Sequence, residues 1–193
     1  MRLFVAIDLD SEIRARVARF VEGLHGFATD VRWTAPESWH VTLKFIGETG
    51  AETFQRINDQ LAKLSAAPAS IQFRGTGFFP TPRSARVFWA GVHGDSNLAA
   101  LAEAVDRTLG AIGIAFEERA FSPHLTLARS GSGRPARQKS DRPSHKFAKL
   151  QQRLAKIPEP EFGTMTAREF FLYQSKTSPK GAQYTKLASY ELK

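Results

Sequence analysis

Trp39-His40-Val41-Thr42-Leu43 and Pro123-His124-Leu125-Thr126-Leu127 are two copies of one pattern: a histidine, an apolar residue, a threonine and a leucine. The histidines lie 84 residues apart (124 − 40), and a turn precedes each copy: Ala35-Pro36-Glu37-Ser38 for the first, Phe121-Ser122-Pro123 for the second. Alternation of apolar and polar residues makes each copy a strand, on which side chains two apart share a face. His40, Thr42 and Lys44 are therefore expected on one face, with Val41, Leu43 and Phe45 on the other; His124 and Thr126 pair in the same way. A motif repeated in a like context indicates two halves of similar construction, a weak internal duplication.

The flanking chain fits this division. Arg2–Leu9 alternates as a strand, and Asp10-Ser11-Glu12 supplies cap chemistry for a helix over Ser11–Leu24. Val31–Thr34 reads as a short strand, and Ala51–Leu64 as a helix after the first motif strand. In the second half, Ile71–Phe79 and Ala85–Val92 are strand-like around the Pro80/Pro82 turn, followed by a helix over Asn97–Leu109. Ser144–Ile157 reads as a short amphipathic helix, and Glu169–Tyr173 and Tyr184–Leu192 as closing strands. Interleaved strands and helices place the chain in the α/β or α+β class.

The 193 residues carry 27 Lys and Arg against 19 Asp and Glu, a formal net charge of +8, with 42% hydrophobic residues. That is enough apolar material for a core and argues against disorder. No apolar run reaches the roughly 18–20 residues of a membrane span, and Met1–Asp8 turns acidic too early for a signal peptide. The chain has no Cys, which removes disulfides and thiolate chemistry and fits a cytoplasmic location. The basic excess is concentrated between Arg129 and Lys156, where nine Lys and Arg face only Asp141. Its first part, at about 130–143, reads as a flexible loop from Ser130-Gly131-Ser132-Gly133-Arg134-Pro135. Such a segment suits a polyanion through phosphate neutralisation, and equally a solvated surface.

The paired motifs carry the chemistry. Each offers an imidazole that titrates near neutrality beside a hydroxyl that can donate to an oxyanion. In-line displacement at phosphorus needs one neutral His to take a proton from the nucleophile and one charged His to protonate the departing oxygen. Thr42 and Thr126, with Lys44 two residues beyond Thr42, would hold the non-bridging oxygens. Neither His has the neighbouring ligands of an H-E-x-x-H zinc site, and the chain has no P-loop, dinucleotide fingerprint or G-x-S-x-G elbow. His25, His93 and His145 carry no such context.

With these residues in place, the sequence resembles the two-histidine (2H) phosphoesterase superfamily, and within it the RNA 2′,3′-cyclic phosphodiesterases, also called 2′-5′ RNA ligases. The likeness runs through Arg2-Leu3-Phe4-Val5-Ala6-Ile7, Val31-Arg32-Trp33, His40 to Gly47, Phe79 to Arg83, Val87 to Val92 and Phe121 to Arg129. It ends in Leu172-Tyr173-Gln174-Ser175 and Gly181-Ala182-Gln183-Tyr184. The resemblance implies one bilobal, pseudo-symmetric α+β domain, with two antiparallel sheets lining a cleft and helices outside, and with no metal or other cofactor. It implies an enzyme that opens a terminal 2′,3′-cyclic phosphate on RNA to a 2′-phosphate and that can run in reverse as 2′-5′ ligation; the self-contained bilobal pattern favours a monomer. By position His40 is the proton donor and His124 the proton acceptor; Thr42, Thr126, Lys44 and Arg129 are the phosphate-binding candidates, and Phe4 is a base-stacking candidate. Trp39 departs from the small or aliphatic residue usual there, and is expected either to pack behind His40 or to offer a stacking surface. Small cyclic nucleotides or ADP-ribose cyclic phosphate are the alternative substrates. A non-catalytic RNA-binding module is the alternative of another class.

Overall fold

The computed structural model describes residues 1–131, 144–178 and 181–193. The basic stretch expected as a loop at about 130–143 lies, beyond residue 131, outside the described residues. The elements in chain order are β1 (Arg2–Asp8), α1 (Ser11–Glu22), β2 (Arg32–Trp33), β3 (His40–Glu48), α2 (Ala51–Leu61), β4 (Ala69–Phe79) and β5 (Val87–Gly94). They continue with α3 (Ser96–Gly110), β6 (His124–Arg129), α4 (Ala148–Leu154), β7 (Glu161–Ala167), β8 (Glu169–Ser178) and β9 (Gly181–Glu191). Two antiparallel sheets result, a four-stranded one in the order β3-β1-β8-β9 and a five-stranded one in the order β2-β6-β5-β4-β7. This is the α+β class, with one motif strand in each sheet.

Local chemistry starts the helices where the sequence places them. The Asp10 carboxylate accepts the Ile13 N–H at 2.8 Å at the start of α1, and Asp95 accepts the N–H groups of Asn97 and Leu98 at the start of α3. Ile13, Val17 and Val21 of α1 and Leu98, Leu101, Val105 and Leu109 of α3 are buried at helical spacing. They join Val5 and Ile7 of β1, Val41 of β3, and Leu125 and Leu127 of β6 in one core shared by both sheets. Each such fully buried side chain contributes about 1.5–3 kcal/mol.

β7 has no counterpart in the sequence reading. Its alternation is broken at Gly163, where φ is +109° and where the register with β4 shifts. An added Cβ at Gly163 would meet the Arg16 guanidinium of α1, so helix and strand approach closely at the break in pattern.

The main departure from strict alternation lies in the motif strands themselves. Ala6 pairs with Thr42 but Val5 pairs with Lys44, so Leu43 is an extra residue in β3. Trp89 pairs with Thr126 but Phe88 pairs with Ala128, so Leu127 is an extra residue in β6. A bulge places two consecutive residues on the same side and reverses the alternation beyond it. Leu43 and Lys44 are accordingly both buried and Phe45 emerges; Leu127 and Ala128 are both buried and Arg129 emerges.

Candidate active site

His40 is the first residue of β3. The 3-10 turn Pro36–Ser38 delivers it, closed by the Trp39 N–H donating to the Pro36 carbonyl. His40 Nδ1 donates to the Ser38 carbonyl at 2.8 Å. His124, first residue of β6, repeats the arrangement, its Nδ1 donating to the Ser122 carbonyl at 2.9 Å. In both cases the acceptor is two residues upstream, so each Nε2 is left for a ligand and the turn fixes which nitrogen that is. β3 and β6 pack against each other, and the two imidazoles interact electrostatically, each partly exposed.

Around that common feature the surroundings differ. His40 lies 4.7 Å from the Phe4 ring centroid, 5.9 Å from that of Tyr173 and 5.0 Å, edge-on, from that of Tyr184. Phe4, Ala6, Phe171 and Tyr173 form a small buried cluster on the face of β1 and β8 opposite the main core. Phe4 stacks on Tyr173 with an interplanar angle of 5° and is 2% exposed. It is thus the packed floor beneath His40, and not the free stacking surface that its position in the sequence suggests. Trp39 is 2% exposed and packs into the main core behind His40. On the other side, His124 has the edge of Phe79 at 5.0 Å.

Thr42 and Thr126 are partly exposed on their strands in the same relation to His40 and His124. Arg129 emerges on that face and reaches the Thr126 hydroxyl at 3.4 Å. Its charge disfavours protonation of both His40 and His124, which places the guanidinium within electrostatic reach of each imidazole. Arg32 of β2 stands directly opposite Arg129, and among the described residues no carboxylate forms a salt bridge with either. Like charges facing each other across strands are unfavourable unless an anion lies between or beside them.

Lys44 is a correction. The bulge at Leu43 turns it inward, where it is 3% exposed and pairs with Asp106 of α3, its Nζ also donating to the Ala115 carbonyl at 2.8 Å. Asp106 in turn accepts the Glu117 N–H at 3.1 Å. Lys44 therefore ties the first motif strand to the segment leading to the second motif and does not reach a phosphate. Phe45, expected on the core face, takes instead the outward place expected of Lys44, 63% exposed, with its ring 6.1 Å from that of Phe4.

Burial draws the His40 pKa down to about 4, against the Ser38 hydrogen bond and the Asp8 charge, which favour the proton; Arg129 and His124 oppose it. Burial also lowers His124, as does Arg129. Both imidazoles are therefore neutral near pH 7 in the free protein, and an arriving phosphate anion favours protonating them.

Comparisons with known proteins supply the family. The model of the LigT-like phosphoesterase family matches residues 7–89 and 93–184, one histidine motif falling in each segment. The chain belongs to that family. It is 36% identical to an RNA 2′,3′-cyclic phosphodiesterase of Archaeoglobus fulgidus, over 99% of this chain and 100% of that one. It is 32% identical to one of Methanothermobacter thermautotrophicus, over 100% and 99%. Among solved structures, Escherichia coli LigT complexed with 3′-AMP superposes with a TM-score of 0.76 at 26% identity, covering 99% of this chain and 97% of that one. No described helix of this LigT-like chain is long and apolar enough to cross a membrane.

Proposed function

We propose that this chain is an RNA 2′,3′-cyclic phosphodiesterase working by two-histidine acid–base catalysis. The observation that carries the reading is the pair of imidazoles on β3 and β6, each oriented by the carbonyl two residues upstream, with the charge of His124 felt at His40. Water attacks phosphorus and passes a proton to His124 Nε2 as the new P–O bond forms. The P–O3′ bond breaks on the opposite side, and O3′ takes the proton from His40 Nε2, leaving a 2′-phosphate. Thr42, Thr126 and Arg129 bind the non-bridging oxygens and stabilise charge as it develops. Run backward with a 5′-hydroxyl in place of water, the same groups would join RNA ends through a 2′-5′ bond.

Full-length similarity to RNA 2′,3′-cyclic phosphodiesterases supports the substrate class. Arg32 beside Arg129 gives the groove edge a charge suited to further phosphates. Phe45, exposed on the motif strand β3, replaces Phe4 as the stacking candidate, worth about 1–3 kcal/mol per base. The protein is read as a monomer, one domain with a shared core, acting in the cytoplasm and needing no metal. The deciding experiment incubates it with an RNA ending in 2′,3′-cyclic phosphate in the presence of EDTA and locates the phosphate in the product. A 2′-phosphate is expected; no turnover, or a 3′-phosphate, would contradict the reading.

A further inference from the structure

Asp8 stands at the end of β1 directly opposite His40 in the β1–β3 register. Residues opposite each other in an antiparallel pair project from the same face with Cβ atoms about 4.5–5.5 Å apart. Both line one pocket of about 390 Å³, together with Glu37, Ser38, Tyr173, Tyr184 and Lys186 among others. The carboxylate is held from two sides. Arg14 of α1 donates to Oδ1 at 2.5 Å, and Lys186 of β9 donates to Oδ2 at 2.5 Å. Burial alone would raise the Asp8 pKa, but the Lys186 hydrogen bond and the Arg14 charge outweigh it and hold the carboxyl below its ordinary value, so it is anionic throughout the neutral range.

Arg14 does more than neutralise. It also donates to the Pro36 carbonyl, in the turn whose Ser38 carbonyl accepts the His40 Nδ1 hydrogen bond. Asp8, Arg14, the 36–38 turn and His40 therefore form one connected chain of polar contacts. The charged and titratable groups facing His40 are Asp8 from β1, Glu37 from the turn, Tyr173 from β8, Tyr184 and Lys186 from β9, and His124 and Arg129 from β6. Among them Asp8 is the carboxylate fixed in place by two cations.

We propose that Asp8 is a positioning residue for the reaction: pinned between Arg14 and Lys186, its carboxylate favours on His40 the proton that the departing ribose oxygen takes. Lys186 is the counterweight, since its ammonium offsets the same carboxylate while resting 3.9 Å over the Phe171 ring. The proposal rests on His40 being the acid in the proposed reaction, and it gives the two charges opposite effects. Removing the anion makes His40 harder to protonate; removing the cation makes it easier.

The test compares the unmodified protein with Asp8→Asn and Lys186→Met, following the His40 ring signals by NMR titration in the free protein and the pH dependence of kcat on cyclic-phosphate RNA. Asp8→Asn should lower the His40 midpoint and the falling limb of kcat by roughly half a unit to one unit, and Lys186→Met should raise both. With the assay held at a pH above the falling limb, Asp8→Asn should cost roughly three- to tenfold in kcat with little change in KM. A merely structural role would give losses without opposed shifts. Midpoints moving in the same direction, or neither moving by more than about 0.2 units, would overturn the proposal. The NMR titration needs no substrate, so it decides the matter even if the RNA reading fails; that failure would show instead as no turnover by the unmodified protein.

Discussion

β3 and β6 carry the same motif, the same upstream carbonyl and the same bulge after the threonine, yet they deliver their histidines into different surroundings. His40 rests on an aromatic floor, with an anchored carboxylate on the neighbouring strand. His124 has one ring edge and an arginine on its own strand. At the first position past the bulge, the duplicated pattern holds a buried Lys44 in one copy and a buried Ala128 in the other; one residue later it holds Phe45 in one and Arg129 in the other. Backbone geometry is thus common to both halves, while the chemistry is divided between them. One half surrounds its imidazole with buried rings and an anchored carboxylate, while the other sets an exposed guanidinium beside its own.

The comparison breaks most simply at the histidines. His40→Ala and His124→Ala should each lower kcat by on the order of 10²–10⁴-fold with the fold intact by circular dichroism. Retention of most activity in both would remove the acid–base pair. Thr126→Val and Arg129→Met should each cost on the order of 10²-fold in kcat if, as proposed, these donors meet the developing charge. Arg32→Met tests the edge of the same half. On an RNA oligomer it should raise KM and reduce the salt slope by about one. On a nucleoside 2′,3′-cyclic phosphate it should change neither, and equal effects on both substrates would place Arg32 at the reacting phosphate instead.

Lys44→Met sharpens the contrast from the other half. It leaves the Asp106 carboxylate without its cation and should destabilise the protein by about 2–3 kcal/mol in urea unfolding. Were Lys44 a phosphate ligand, KM would rise while stability stayed the same. The remaining effect concerns stability and pH. His40 binds its proton near 6.5 when unconstrained and near 4 in the folded protein. Between those values the unfolded chain binds more protons, so stability falls as pH falls through that window. Asp8, lowered in the fold, adds a loss at more acid pH. His40→Asn should flatten the dependence of Tm on pH between 6.5 and 4, and an unchanged slope would contradict the assignment.

Much of this was legible in the residues. The duplicated motif, the strands that carry it and the Asp10 cap all follow from local pattern, because side-chain period and capping are local physics. Lys44 was misplaced because Leu43-Lys44-Phe45 alternates cleanly and conceals the bulge. The second copy discloses it, since Leu127-Ala128-Arg129 runs apolar, apolar, charged, and aligning the two copies would have turned Lys44 inward and Phe45 outward. Phe4 lies on the face that alternation predicts, but Tyr173 and Tyr184, far along the chain, cover it. Asp8 gave no signal at all: its role depends on the β1–β3 register and on Lys186 from β9, which only the assembled sheet brings together.

The division of labour is tested most directly by the pH dependence of kcat on cyclic-phosphate RNA in His40→Ala and His124→Ala, followed at enzyme concentrations high enough to measure the residual rates. The unmodified protein should give a bell. His40→Ala should keep only the limb that rises with pH, set by the neutral form of His124, and His124→Ala only the limb that falls, set by the charged form of His40. A bell surviving in both variants would show that neither imidazole carries the proton assigned to it.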